Sequence, residues 1–145
     1  MYKTEAIITK VENFKENHLS ISVYSSEYGQ KSLVVFGGKS KKKNSSYVKG
    51  SLNNIEFDNN NICLSSTSVN TFKWFLFSKY ELKTIDYFCF LINKLLFLAD
   101  QNSNVVSYYL LLISKLNERS NYLPELLLLE LEILKASGYQ PDLNE

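Results

Sequence analysis

A lysine-rich segment is the part of this sequence whose residue types are best suited to binding chemistry. Residues 31–50 contain six lysines and no acidic residue, and Gly37 and Gly38 precede the densest part. The lysines are Lys31, Lys39, Lys41, Lys42, Lys43 and Lys49. Their ammonium groups can neutralise phosphates without reading a base sequence, and the ring of Tyr47 can stack on an unpaired base. A solvated surface loop in a lysine-biased chain explains the same composition equally well.

The other residues able to do chemistry form no pattern that indicates catalysis or metal binding. His18 is the only histidine, and Cys63 and Cys89 are the only cysteines. A structural zinc site needs four nitrogen or sulfur ligands, so we expect no metal and no cofactor in this chain. The apolar neighbours of both cysteines favour two reduced core cysteines in a cytoplasmic protein. His18 is expected on the surface at the start of a strand, without a partner.

Sequence motifs of the common enzyme classes are absent. The chain has no phosphate-binding loop, no dinucleotide-binding glycine motif, and no metalloprotease or serine-hydrolase motif. Its acidic residues are scattered, with no close pair suited to acid–base work. We therefore expect a binding protein and not an enzyme.

The net charge of the 145-residue chain conceals an uneven distribution. Its total of +1 excludes a protein that is basic throughout. Residues 1–61 carry nine lysines and six acidic residues, whereas residues 62–145 carry six lysines, Arg119 and nine acidic residues. The basic excess therefore lies in the first part of the chain. No apolar stretch is long enough to cross a bilayer, so no membrane partner is expected.

The first part of the chain, residues 1–70, has the pattern of short strands joined by tight turns. Residues 19–23 alternate apolar and polar side chains, as a half-buried strand does. Gly29 suits a turn because glycine readily adopts positive φ. The five predicted strands cover residues 4–11, 19–23, 31–36, 51–57 and 62–66. Five such strands favour a small β-barrel with an OB-fold as the leading candidate, although their spacing also permits an SH3-like barrel.

The second part, residues 71–145, has helical periodicity, so the chain as a whole is predicted to be α+β. Ser78 and Glu81 match a capping box, and the apolar spacing that follows extends to Ala99. A second helix is predicted over 105–117 and a third from about Pro124 to Gly138. The third is apolar on most of its circumference and therefore needs partners on several sides. Exposed apolar faces of the helices would suit a protein-interaction module, which is the alternative to nucleic-acid binding.

Three segments together resemble the bacterial recombination mediator RecO. Residues 16–30 and 33–42 resemble the N-terminal domain of that family, in which a glutamate, a short strand, an aromatic residue and a glycine turn precede a second strand and a basic run. Residues 131–143 resemble the family segment with the pattern L-x-x-L-G-Y-x-P-x-L. The segments occur in the family's order and span most of the chain.

The resemblance implies an N-terminal OB-fold followed by a helical domain, in a non-catalytic protein of the bacterial cytoplasm and nucleoid. Proteins of this family bind single- and double-stranded DNA and anneal complementary strands. They contact the C-terminal tail of the single-stranded-DNA-binding protein, and with RecR they help to load RecA. The family's basic segment corresponds here to Lys39, Lys41, Lys42 and Lys43, and less directly to Lys31 and Lys49.

This sequence departs from the family pattern in two ways. It has lysine where many members have arginine, which replaces a bidentate donor by a point charge. Many members also continue into a zinc-binding cysteine cluster, which has no counterpart among these 145 residues. We therefore expect the helical domain to be incomplete, and we expect contact with the single-stranded-DNA-binding protein less firmly than contact with DNA.

Overall fold

A computed structural model of the chain describes residues 1–40, 47–69, 78–97, 104–118 and 121–138. Within these ranges five strands come first: β1 (Tyr2–Phe14), β2 (His18–Ser25), β3 (Gly29–Val35), β4 (Leu52–Phe57) and β5 (Cys63–Ser68). Three helices follow: α1 (Lys79–Leu95), α2 (Val105–Glu118) and α3 (Leu123–Ala136). None of the helices in the described part of the chain is both long and apolar enough to cross a membrane.

The five strands form one antiparallel sheet in the order β3-β2-β1-β4-β5. Its two outer strands approach each other, because a parallel bridge joins Val34 to Ile62. The amide of Val34 donates to the carbonyl oxygen of Asn61 at 3.0 Å. The sheet thus curls into the five-stranded, partly open barrel of the OB-fold, and the α+β prediction is confirmed. Strand spacing alone also permits an SH3-like barrel; the strand order, together with the bridge from β3 to Ile62 just before β5, is consistent with the OB-fold.

All five predicted strands are present, with small differences at their ends. β1 runs three residues further than predicted, because its pairing with β2 continues to Phe14 opposite His18. The alternation in β2 directs Leu19, Ile21 and Val23 into the barrel, where each is buried. Gly29 has φ +70°, as its predicted turn requires.

The helices pack on the outside of the barrel and form a second apolar core there. Ile7 of β1 lies opposite Tyr24 of β2 and Leu52 of β4. These three side chains are fully buried, and they are the barrel residues that pack against the helices in this second core. The inward-facing residues of β1, Ala6 and Ile8, belong instead to the core inside the barrel. Successive side chains of β1 therefore alternate between the core inside the barrel and the core beneath the helices, and both faces of the strand are buried.

The ends of the helices follow their local chemistry. The predicted capping box is present, since Glu81 N–H donates to Ser78 Oγ at 3.4 Å and the Glu81 side chain accepts from Ser78 N–H. Helix α1 ends at Leu95, earlier than the apolar spacing predicts. Leu96 is extended and buried, and the carbonyl oxygen of Phe97 accepts from Gln30 N–H at 3.0 Å. The chain leaves the helix to join β3.

Helix α3 buries only one face among the described residues. Leu129 and Ile133 are buried. Four leucines of the same helix are about half exposed, namely Leu123, Leu127, Leu128 and Leu131. The expectation that this helix has partners on several sides is therefore not met within the part of the chain that the structure describes.

Candidate nucleic-acid interface

The densest part of the lysine-rich segment, which we call the basic segment (residues 39–43), begins after a glycine turn that follows β3. Gly37 has φ +67°, which disfavours other residues. A Cβ atom at Gly38 would lie 2.9 Å from Leu19 Cγ, so only glycine fits without a shift of the neighbouring core side chain. These two positions fix the direction in which the basic segment leaves the barrel.

Lys39 lies against the turn between β1 and β2. Its amide donates to the carbonyl oxygen of Asn17 at 3.4 Å, and its Nζ donates to the carbonyl oxygen of Lys15 at 3.0 Å. The Gly37 amide donates to His18 Nδ1 at 2.9 Å. His18 does begin a strand, but the expectation that it has no partner is wrong, because it anchors this turn. Backbone and side-chain bonds thus hold the start of the basic segment at the barrel rim.

Lys15 is a basic residue of this rim that the sequence reasoning missed. It occupies a left-handed conformation, with φ +55°, in the turn between β1 and β2. Its Nζ lies 5.3 Å from the centroid of the Phe14 ring. The first inter-strand loop of an OB-fold is one of the loops that bind oligonucleotides. A lysine in that loop was therefore a signal available from the sequence, and it joins Lys39 at what we call the basic rim (Lys15 and Lys39).

Lys31 is placed at the start of β3, toward the other end of the barrel. The four residue steps from Lys31 to Val35 extend about 13 Å along the strand, which separates Lys31 from the basic rim. Around it lie Tyr2, Tyr28 and Phe57, whose ring centroids are 5.2–5.5 Å apart. Lys31 therefore belongs to an aromatic surface distinct from the basic rim.

Lys49 lies at the boundary between the barrel and helix α1. Its Nζ is 3.2 Å from an Asp86 carboxylate oxygen. The pair is exposed, with side-chain exposures of 46% and 62%, so the attraction is strongly screened by water. Lys49 therefore has different neighbours from Lys39, although the two lysines belong to the same segment of sequence.

The expectation that Tyr47 offers a stacking face is wrong. Its side chain is only 8% exposed and packs in the core inside the barrel. The hydroxyl lies 3.6 Å from Cys63 Sγ, and burial raises the pKa of Tyr47 well above its ordinary value. The ring has no open face for a base, because the chain turns back into the barrel here.

Lys41, Lys42 and Lys43 lie outside the described residues. Of the predicted binding residues that the structure describes, only Lys39 lies at the basic rim. Lys31 and Lys49 are placed elsewhere, and Tyr47 is in the core. The last five residues of the RecO-like segment 131–143 also lie outside the described part of the chain.

The described residues include no cluster of three or more histidine, cysteine or acidic side chains able to hold a metal ion. Cys63 and Cys89 are both buried and free, as the sequence predicts for core cysteines. Burial raises the pKa of Cys89 to about 12, with Lys49 acting in the opposite direction. The neutral thiol is a poor nucleophile and a poor ligand.

Comparison with known families assigns the barrel. The family described as "Recombination protein O N terminal" matches residues 1–67. The match covers the barrel strands up to the penultimate residue of β5, together with the glycine turn and both lysines of the basic rim. No curated protein matches the chain. The family match agrees with the resemblance found in the sequence motifs: residues 1–67 of this chain are similar to the recombination protein O N-terminal domain.

Proposed function

We propose that this chain is a non-catalytic mediator of DNA recombination and repair that binds single- and double-stranded DNA through the basic side of its OB-fold. The family match supports a role in recombination and repair. The observation that carries the proposed DNA contact is the basic rim, where Lys39 Nζ bonds to the backbone of Lys15 on an oligonucleotide-binding loop of the fold. Lys41, Lys42 and Lys43 continue the same basic segment.

The proposed mechanism is electrostatic. Each lysine that neutralises a phosphate releases condensed counterions, so binding is favourable for any base sequence and weakens as salt rises. Lysine acts as a compact point charge and does not impose a bidentate geometry on the phosphate. A row of such charges can hold two DNA backbones close together and reduce the repulsion that opposes annealing.

The proposed division of labour places DNA binding in residues 1–70 and support or partner contacts in residues 71–145. By resemblance to the RecO family, the proposed partners are RecR and the C-terminal tail of the single-stranded-DNA-binding protein, with RecA loaded indirectly. The proposed setting is the bacterial cytoplasm at the nucleoid.

The test is a quadruple variant, Lys39→Ala, Lys41→Ala, Lys42→Ala and Lys43→Ala. Binding to single-stranded DNA of random sequence is measured by fluorescence anisotropy at several salt concentrations. The affinity should fall for every sequence, and the slope of log K against log salt should become shallower by up to about 3, since each phosphate contact contributes about 0.7.

A matched control removes four lysines elsewhere, Lys3→Ala, Lys79→Ala, Lys115→Ala and Lys135→Ala. It changes the net charge by the same amount but leaves the basic segment intact. The proposal requires a much smaller change in slope for the control. Equal slopes for the two variants would show that overall charge, and not this segment, determines binding.

A protein-interaction module is the second candidate, and the exposed leucines of α3 favour it. Leu127, Leu128 and Leu131 are 47–52% exposed, which is unusual for neighbouring large apolar side chains. If this face alone were functional, the unmodified protein would bind DNA weakly or not at all. The quadruple lysine variant would then bind protein partners as tightly as the unmodified protein does. The salt titration therefore separates the two functions.

A further inference from the structure

A groove between the barrel and helix α1 carries a second group of lysines, apart from the basic rim. Thr9 and Lys10 of β1 form one wall, and Phe90, Asn93 and Lys94 of α1 form the other. Lys49 lies in the same groove, whose volume is about 220 Å³. Residues from three separate parts of the sequence thus meet at one surface site, which we call the Phe90 groove.

The lysines of the Phe90 groove can accept an anionic backbone. Lys10 Nζ lies 2.8 Å from Glu12, and Lys49 Nζ lies 3.2 Å from Asp86. All four of these side chains are about half exposed, so each pair is worth little and a phosphate can replace its carboxylate. Lys94 forms no ion pair with any residue that the structure describes.

Phe90 supplies the apolar half of the site. Its side chain is 58% exposed, whereas those of Phe88 and Cys89 next to it are fully buried. Phe90 and Lys94 are four residues apart on a helix, which places their side chains next to each other on one face. An exposed ring beside ammonium groups is the combination that binds single strands, because bases stack on the ring while lysines hold the phosphates.

We propose that the Phe90 groove is a subsite for single-stranded nucleic acid, with Phe90 stacking on an unpaired base and Lys10, Lys49 and Lys94 holding its phosphates. The proposal rests on the proposed DNA-binding function and extends it to a second surface. The proposed subsite prefers single strands to duplexes, because the bases of a duplex are already stacked and cannot offer a free face to Phe90. The basic rim is expected to bind single strands and duplexes alike, because both present phosphates.

The test compares the Phe90→Ala variant with the unmodified protein on three probes: a short oligothymidylate, a chain of abasic sugar phosphates of the same length, and a duplex. Loss of stacking should weaken oligothymidylate binding about tenfold. Affinity for the abasic chain and the duplex should be unchanged, because neither offers an unpaired base. A general folding defect would weaken all three.

Tyr80→Ala is the matched control, since Tyr80 is an exposed aromatic residue of the same helix that does not line the groove. It should leave all three affinities unchanged. Equal oligothymidylate affinities of Phe90→Ala and the unmodified protein, with the quadruple lysine variant weakened, would overturn the subsite and leave the proposed function standing. An unmodified protein that binds none of the probes would overturn both.

Discussion

The side chain of Tyr47 belongs to the barrel core, although it lies between Lys43 and Lys49 in the lysine-rich segment. Its hydroxyl approaches Cys63 Sγ from inside the barrel. The residue therefore anchors the end of the lysine-rich segment where the chain returns toward β4. Its contribution is to stability and not to ligand contact.

Replacement of Tyr47 by leucine removes the ring and keeps an apolar side chain. We expect the free energy of unfolding to fall by about 2–3 kcal/mol, because the smaller side chain buries less surface and leaves a cavity in the barrel core. The affinity for oligothymidylate should stay unchanged at temperatures where the variant is folded. Urea denaturation and anisotropy measure the two quantities, and weaker binding at unchanged stability would contradict the buried position.

Cys89 makes the stability of the protein depend on alkaline pH. Burial raises the pKa of its thiol from the ordinary 9.0 to about 12. Between these values the unfolded chain has lost a proton that the folded chain keeps, so this contribution to stability is complete below pH 9 and is lost as the pH rises toward 12. Cys89→Ala should flatten the fall in stability over this range. An identical pH profile for the variant would contradict the burial of an uncharged thiol.

At the scale of elements, helix α2 is joined to the barrel by a polar contact as well as by packing. The Tyr109 hydroxyl donates to the carbonyl oxygen of Gly50, just before β4. Both groups lie in the buried interface between the helices and the barrel, where the Tyr109 side chain is fully covered. The bond fixes the position of the helix relative to the chain that leads away from Lys49.

Tyr109→Phe leaves the Gly50 carbonyl oxygen without this donor. The free energy of unfolding should fall by about 1–3 kcal/mol, as expected for a buried unsatisfied acceptor. Tyr108→Phe is the control, because Tyr108 is only partly buried. Chemical denaturation of both variants checks the prediction, and equal stabilities would show that the Tyr109 hydroxyl contributes nothing.

The elements were predictable where their signals are local. Alternation identified β2, a glycine turn set the start of β3, and Ser78 with Glu81 marked the start of α1. The end of α1 was not predictable, because Phe97 leaves the helix to bond with Gln30, far away in sequence. Long-range pairing decides such boundaries.

The candidate site was less predictable than the fold for the same reason. Sequence grouped Lys31, Lys39 and Lys49 because they lie close along the chain. The barrel separates them, since β3 carries Lys31 away from the basic rim and Lys49 pairs with Asp86 of α1. Folding also brings Lys15 to Lys39 across 24 positions. Strand pairing determines which charged side chains become neighbours, and the composition of a sequence segment does not indicate which strands pair.

At the scale of the whole molecule, the described residues form two apolar cores that share the sheet, and lysines gather at the barrel rim and beside helix α1. One core fills the barrel and the other joins the barrel to the helices. The basic rim and the Phe90 groove both include residues of β1 or of the turn that follows it. The net charge of +1 is therefore compatible with a chain that concentrates its cations where a nucleic-acid backbone could follow them.

The most direct test of the central claim is the salt dependence of single-stranded DNA binding in the double variant Lys15→Ala, Lys39→Ala. Both residues lie in the described barrel, so the result bears on the basic rim itself. We expect weaker binding and a slope of log K against log salt that is shallower by about 1.4. The control double variant Lys115→Ala, Lys135→Ala should keep the affinity and the slope of the unmodified protein. A slope for the Lys15→Ala, Lys39→Ala variant equal to that of the unmodified protein would contradict the central claim.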